Sequence, residues 1–159
     1  MENEKNFIVG EMLKKKNFTI SCAESCTGGL LTSKLTDVAG SSEYVQGSIV
    51  SYSNEIKISA LHVKEETLKN FGAVSHETAF EMAKNIREIF KTDIGVGVTG
   101  IAGPGGGSKE KPVGLVYISV ADKNSVTVEK FNFVGSRTEI KNQSVVAALK
   151  MIEKFLSVK

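Results

Sequence analysis

Ile94-Gly-Val-Gly-Val-Thr99 and Val113-Gly-Leu-Val-Tyr-Ile-Ser-Val120 read as two buried strands, joined by Gly100-Ile-Ala-Gly-Pro-Gly-Gly-Gly-Ser-Lys-Glu-Lys-Pro112. A third strand, Val126 to Phe133, follows the turn Asp122-Lys-Asn-Ser125 as a hairpin partner. A hairpin is antiparallel, so the sheet that contains it cannot be purely parallel. The connector carries five glycines in its first eight residues. Glycines give up conformational entropy without side-chain packing in return, so such a loop is expected to let backbone N–H groups approach a ligand. A phosphate or oxyanion fits such a concave backbone, with Thr99, Ser108, Lys109 and Lys111 supplying hydroxyls and positive charge at the rim. The alternative is a plain surface connection. No Gly-Lys-[Ser/Thr] occurs, which excludes a P-loop, and the glycine spacing lacks the strand-to-helix context of a dinucleotide fold.

Upstream, helices alternate with strands. Phe7, Ile8, Met12 and Leu13 recur at helical spacing in residues 4–16, and a strand follows at Phe18 to Cys22. Ala23-Glu-Ser-Cys-Thr-Gly-Gly29 leads into a helix with Leu30, Leu31, Leu35 and Val38 on one face, Ser25 or Thr27 as its cap and Gly40 as its end. A strand at Tyr44 to Ser53 precedes short helices at Glu55 to Leu61 and Lys64 to Gly72. Ser75 caps a longer helix to Lys91, and Ser136-Arg-Thr-Glu139 is a capping box opening a last helix with a broad apolar face. This order predicts one α/β domain over residues 1–159, a three-layer α/β/α sandwich around a mixed sheet.

With 159 residues, 41% of them hydrophobic, the chain can bury one substantial core. Twenty basic residues against 18 acidic ones are scattered, giving no basic stripe for nucleic acid. No apolar run approaches the roughly 18 residues of a membrane helix, and Met-Glu-Asn-Glu-Lys is not a signal peptide, so the expectation is a cytoplasmic protein with no membrane partner. Cys22 and Cys26, with only His62 and His76 as other soft ligands, match neither zinc nor redox spacing and are expected to be buried thiols, with a depressed pKa conceivable for Cys26 at a helix start.

The chemistry then falls to hydroxyls, lysines and an arginine. Ser25, Ser41, Ser42, Ser48, Tyr52, Ser53 and Lys57 crowd between residues 25 and 57, which suits a Ser–Lys arrangement in which a neutral lysine takes the serine proton. Such a lysine must be buried to lose its charge near neutral pH. Ser25 reads as helix cap or nucleophile, Ser42 as turn residue or nucleophile, and Tyr52 as core residue or proton relay. Arg137, in a first helical turn where the dipole disfavours a cation, points to a ligand or partner role.

Ala23-Glu-Ser-Cys-Thr-Gly-Gly29, Val38-Ala-Gly-Ser-Ser42, Gly47-Ser-Ile-Val-Ser-Tyr-Ser-Asn-Glu-Ile-Lys57, Gly72-Ala-Val-Ser75 and Thr99-Gly-Ile-Ala-Gly-Pro-Gly-Gly-Gly-Ser108 with Lys111-Pro-Val-Gly114 together resemble, in order and spacing, the CinA C-terminal domain family. The resemblance covers nearly the whole chain. It implies the short form of the family, without an attached molybdopterin-binding-like domain, and an α/β/α homodimer that hydrolyses the carboxamide of nicotinamide mononucleotide with no metal or cofactor. By the same resemblance Ser42 is the nucleophile and Lys57 the base, Tyr52 and Ser25 complete the catalytic set, and Thr99 and Arg137 fall in the site. The loop residues Gly100, Gly103, Gly105, Gly106 and Ser108 would then hold the nucleotide's phosphate and ribose. A non-catalytic nucleotide-binding module linked to competence or DNA damage is the competing reading, and hydrolysis of a different small amide is a third.

Overall fold

Two strands lose both faces to the interior. Every residue of β1 (Ile20–Glu24) and all but the last of β3 (Ile94–Gly100) are buried, as expected for parallel strands covered by helices on both sides. The computed structural model describes residues 4–159, and places these two side by side in a five-stranded sheet. With β2 (Val45–Val50), β4 (Leu115–Ala121) and β5 (Val126–Asn132), the order is β2-β1-β3-β4-β5. β2, β1 and β3 run parallel, whereas β4 and β5 are antiparallel to their neighbours. The mixed sheet and the β4–β5 hairpin are therefore as the sequence predicts.

Among the described residues six α-helices complete the single domain: α1 (Lys5–Lys16), α2 (Leu30–Thr36), α3 (Asn54–Ser59), α4 (Glu65–Phe71), α5 (His76–Phe90) and α6 (Arg137–Ser157). α5 packs on one face of the sheet, and α1, α2 and α6 pack together on the other. Local chemistry fixes where the long helices start. Ser75 Oγ accepts from the Thr78 N–H, and Ser136 with Glu139 forms the reciprocal capping box. Gly95 lets α5 approach β3, since a methyl there would strike the Ala83 carbonyl oxygen.

Several boundaries differ from expectation: β2 ends at Val50 and not at Ser53, and β4 starts at Leu115 and not at Val113. The first strand lies two residues later than read, at 20–24 in place of 18–22, because Ile20 pairs with both Val45 and Ile94. The second helix ends at Thr36 and not at Gly40; Thr36 Oγ1 turns back onto the Thr32 and Ser33 carbonyls, and Gly40, at φ 85°, instead opens a short 3-10 turn over Ser41–Glu43.

The strand order positions the site. From β1 the chain moves outward to β2 and then crosses back to β3 on the other side of β1, so connections leave the carboxyl ends of β1 and β3 in opposite directions. The crevice at such a switch point is where open α/β sheets bind ligands.

Candidate active site

At the carboxyl end of β1 the chain turns through Ser25, Cys26, Thr27, Gly28 and Gly29 into α2, with both glycines at positive φ. Neither Ser25 nor Thr27 caps the helix, in contrast to the sequence expectation. Glu24 does so from the end of the strand. Its carboxylate, fully buried, accepts from the Leu31 N–H at 2.9 Å and the Thr32 N–H at 3.0 Å, and from the hydroxyls of Thr27 at 2.6 Å and Thr32 at 2.7 Å. Four donors fill the carboxylate's acceptor sites, and the first turn of α2 is thereby satisfied. Ser25 is released from structural duty: its N–H is tied to the Val98 carbonyl at 2.9 Å, while its hydroxyl faces the crevice.

Lys57 meets it there. α3 starts at its Ser53 cap just after β2, and its first turns turn Lys57 inward until only 1% of the residue is exposed. Lys57 Nζ lies 3.1 Å from Ser25 Oγ and donates to the Ser51 carbonyl at 2.6 Å. No carboxylate is bonded to it among the described residues. Burial therefore pulls its pKa below the ordinary lysine range, and outweighs the opposing effect of the nearby Cys26.

The cleft around this pair has a volume of about 240 Å³ and is lined by Tyr52, Thr99, the loop glycines Gly100, Gly103, Gly105 and Gly106, and Arg137. Arg137 bridges the walls: one terminal nitrogen donates to the Gly103 carbonyl at 2.6 Å, the other to the Tyr52 hydroxyl at 2.8 Å. Thr99 is buried and spends its hydroxyl proton on the Ala73 carbonyl at 2.8 Å, holding the 72–75 segment against the strand end. No aspartate or glutamate lines the cleft. Larger grooves exist, including one of about 660 Å³ beside α4 and α5, but none of them contains the Ser25–Lys57 pair.

Several sequence-predicted residues fall elsewhere. Ser42 is exposed in the 3-10 turn before β2, at the amino end of the parallel strands, whereas Lys57 follows β2's carboxyl end. Six residues of strand at 3.3 Å each put about 20 Å between them, so a Ser42–Lys57 pair cannot form. Ser108 lies outside the cleft, its N–H bonded to the Lys111 carbonyl and its hydroxyl accepting from the Lys111 N–H to close a turn. Lys111 donates to the Phe71 carbonyl at 2.6 Å, which draws its ammonium to the end of α4, and it does not line the cleft. Both cysteines are buried free thiols, but Cys26 is not activated: burial pushes its pKa up to about 12, despite nearby Lys57 and Lys141. Sequence reasoning missed Glu24. Its signal was an acid at the end of an apolar strand, with threonines three and eight residues on.

Removing that acid should be costly. Glu24→Ala leaves two N–H groups, that of Leu31 buried and that of Thr32 partly so, and two hydroxyls without their acceptor, and is expected to destabilise the fold by about 3 kcal/mol or more. Urea unfolding should show it as a lower midpoint with an unchanged slope; a midpoint within error of wild type would mean that water or another group replaces the carboxylate.

Among the described residues, no group of three or more His, Cys, Asp or Glu side chains could hold a metal ion, and no helix is long and apolar enough to cross a membrane. Comparison with known proteins gives a consistent match along the chain. The family model for the CinA C-terminal domain matches residues 2–156. CinA-like proteins of Endomicrobium trichonymphae and Kosmotoga olearia are each 50% identical, over 96% and 94% of this chain, and the chain spans 36% of the length of both. Among solved structures, the competence/damage inducible protein CihA from Agrobacterium tumefaciens is 41% identical, with a TM-score of 0.94 over 98% of this chain and 95% of that one. A CinA superfamily protein from Klebsiella pneumoniae is 28% identical, with a TM-score of 0.96 over 100% and 99% of the two chains.

Proposed function

The chain belongs to the CinA C-terminal domain family, and from that membership and the cleft we propose that it hydrolyses the carboxamide of nicotinamide mononucleotide to nicotinic acid mononucleotide and ammonia, with Ser25 as nucleophile and Lys57 as its base. The observation that carries this reading is a buried lysine amine 3.1 Å from a serine hydroxyl in a cleft without carboxylates.

A neutral amine has two N–H bonds and one lone pair. The Ser51 carbonyl takes one N–H of Lys57, which orients the amine so that its lone pair can accept the Ser25 proton. The Ser25 oxygen then adds to the amide carbon, and charge develops on the carbonyl oxygen. The Cys26 and Thr27 N–H groups, in the turn that carries Ser25, donate to no carbonyl or side-chain oxygen among the described residues and are candidates to meet that charge. As the tetrahedral intermediate collapses, the Lys57 ammonium protonates the departing nitrogen, the C–N bond breaks and ammonia leaves an ester on Ser25. Water attacks the ester, gives its proton to Lys57, and Ser25 recovers the proton as the acid leaves. A base that is neutral at rest also avoids a second positive charge beside the substrate's pyridinium ring.

The test is an assay of ammonia and nicotinic acid mononucleotide from nicotinamide mononucleotide, with free nicotinamide as control. Equimolar release of both products from the nucleotide supports the reading. Binding of the nucleotide without turnover would overturn it and favour a non-catalytic nucleotide-binding module.

A further inference from the structure

We propose that Arg137 and Lys141, on consecutive turns of α6, form an anion clamp for the phosphate monoester of the substrate, and that Lys141 sets the preference for nucleotide over nucleoside. The inference rests on the amidohydrolase reading for its substrate and on the following geometry for its site.

Residues four apart on a helix present side chains about 5–6 Å apart on one face, a spacing that one phosphate can bridge. Arg137 is held by the Gly103 carbonyl and the Tyr52 hydroxyl, both uncharged. These bonds use two of its five N–H donors, and the guanidinium is already fixed with three remaining. Lys141 is half-buried, and its Nζ lies 3.9 Å from where a Cβ on Gly28 would stand, beside the turn that carries Ser25. Its charge is also felt at the Cys26 thiol. Neither cation has a carboxylate partner among the described residues, and no carboxylate lines the cleft that Arg137 borders.

Other places for the phosphate are less suited. The Leu31 and Thr32 N–H groups at the start of α2 are bound by Glu24, and of the two loop lysines Lys109 is exposed and Lys111 reaches to the Phe71 carbonyl, neither of them lining the cleft. The glycine loop contributes shape, and α6 contributes the charge.

The experiment compares kcat/KM for nicotinamide mononucleotide and nicotinamide riboside in wild type, Lys141→Met and Lys141→Arg. Loss of one charged contact should lower the nucleotide-to-nucleoside ratio by about tenfold in the methionine variant, through KM, with arginine restoring most of it. Equal losses on both substrates, or an unchanged ratio, would overturn the clamp. Should the wild type hydrolyse neither compound, the amidohydrolase reading fails by itself. The clamp then stands or falls on calorimetric titration with inorganic phosphate: weakening by about fivefold or more in Lys141→Met supports it, and equal affinity overturns it.

Discussion

Ser25→Ala is expected to reduce amide hydrolysis by at least about a thousandfold while leaving nucleotide binding within a few-fold of wild type. The substitution removes the hydroxyl bonded to Lys57 and disturbs little else, because the helix behind it is capped by Glu24 and not by Ser25. Ser42→Ala is the control: on the far end of β2 and exposed to solvent, it should change the rate by less than about twofold. Kinetics with the nucleotide, paired with calorimetric binding, separate the two effects. A dead Ser42→Ala enzyme beside an active Ser25→Ala one would reverse the assignment.

The second large effect is at Lys57. Lys57→Arg keeps the charge but cannot give up its proton, so its activity should fall about as far as that of Lys57→Met, roughly a thousandfold. For wild type, kcat/KM should rise with pH as the ammonium deprotonates, with a midpoint below the ordinary lysine range because burial disfavours the charged form. Stability follows the same sign. An unfolded lysine holds its proton to a pH near 10.4, whereas folded Lys57 releases it earlier, so between those two values the unfolded state binds more protons and stability rises with pH. Lys57→Met should flatten that slope, since no buried ammonium then has to be desolvated. An arginine variant within a few-fold of wild type would rule out the base role and leave Lys57 as an anchor.

The layered fold was legible because its determinants are local. The Ser75 cap, the Ser136–Glu139 box and the hairpin turn at Asp122 to Ser125 are each read within four residues, and the structure has all three. The site was legible as a set of residue types, not as a set of contacts. Ser25 and Lys57 are 32 positions apart, and only the parallel pairing of β1 with β2 brings the ends of both strands together. Ser42 is nearer to Lys57 in sequence and sits in a connection, but strand direction sends it to the opposite edge of the domain. Glu24 was hidden for a related reason: a fully buried carboxylate is intelligible only once the four donors around it are known. Gly100, Gly103, Gly105 and Gly106 line the cleft, but the hydrogen bonds that turn Ser108 and Lys111 away depend on how the loop folds against α4.

The most direct measurement is to quench the enzyme in acid during turnover of nicotinamide mononucleotide and locate the acylated residue by peptide mass spectrometry. The Ser25–Lys57 mechanism predicts an ester of the nicotinate ribotide on Ser25 that is absent from Ser25→Ala and Lys57→Arg; an ester on Ser42, or undiminished ammonia release by Ser25→Ala, would contradict it.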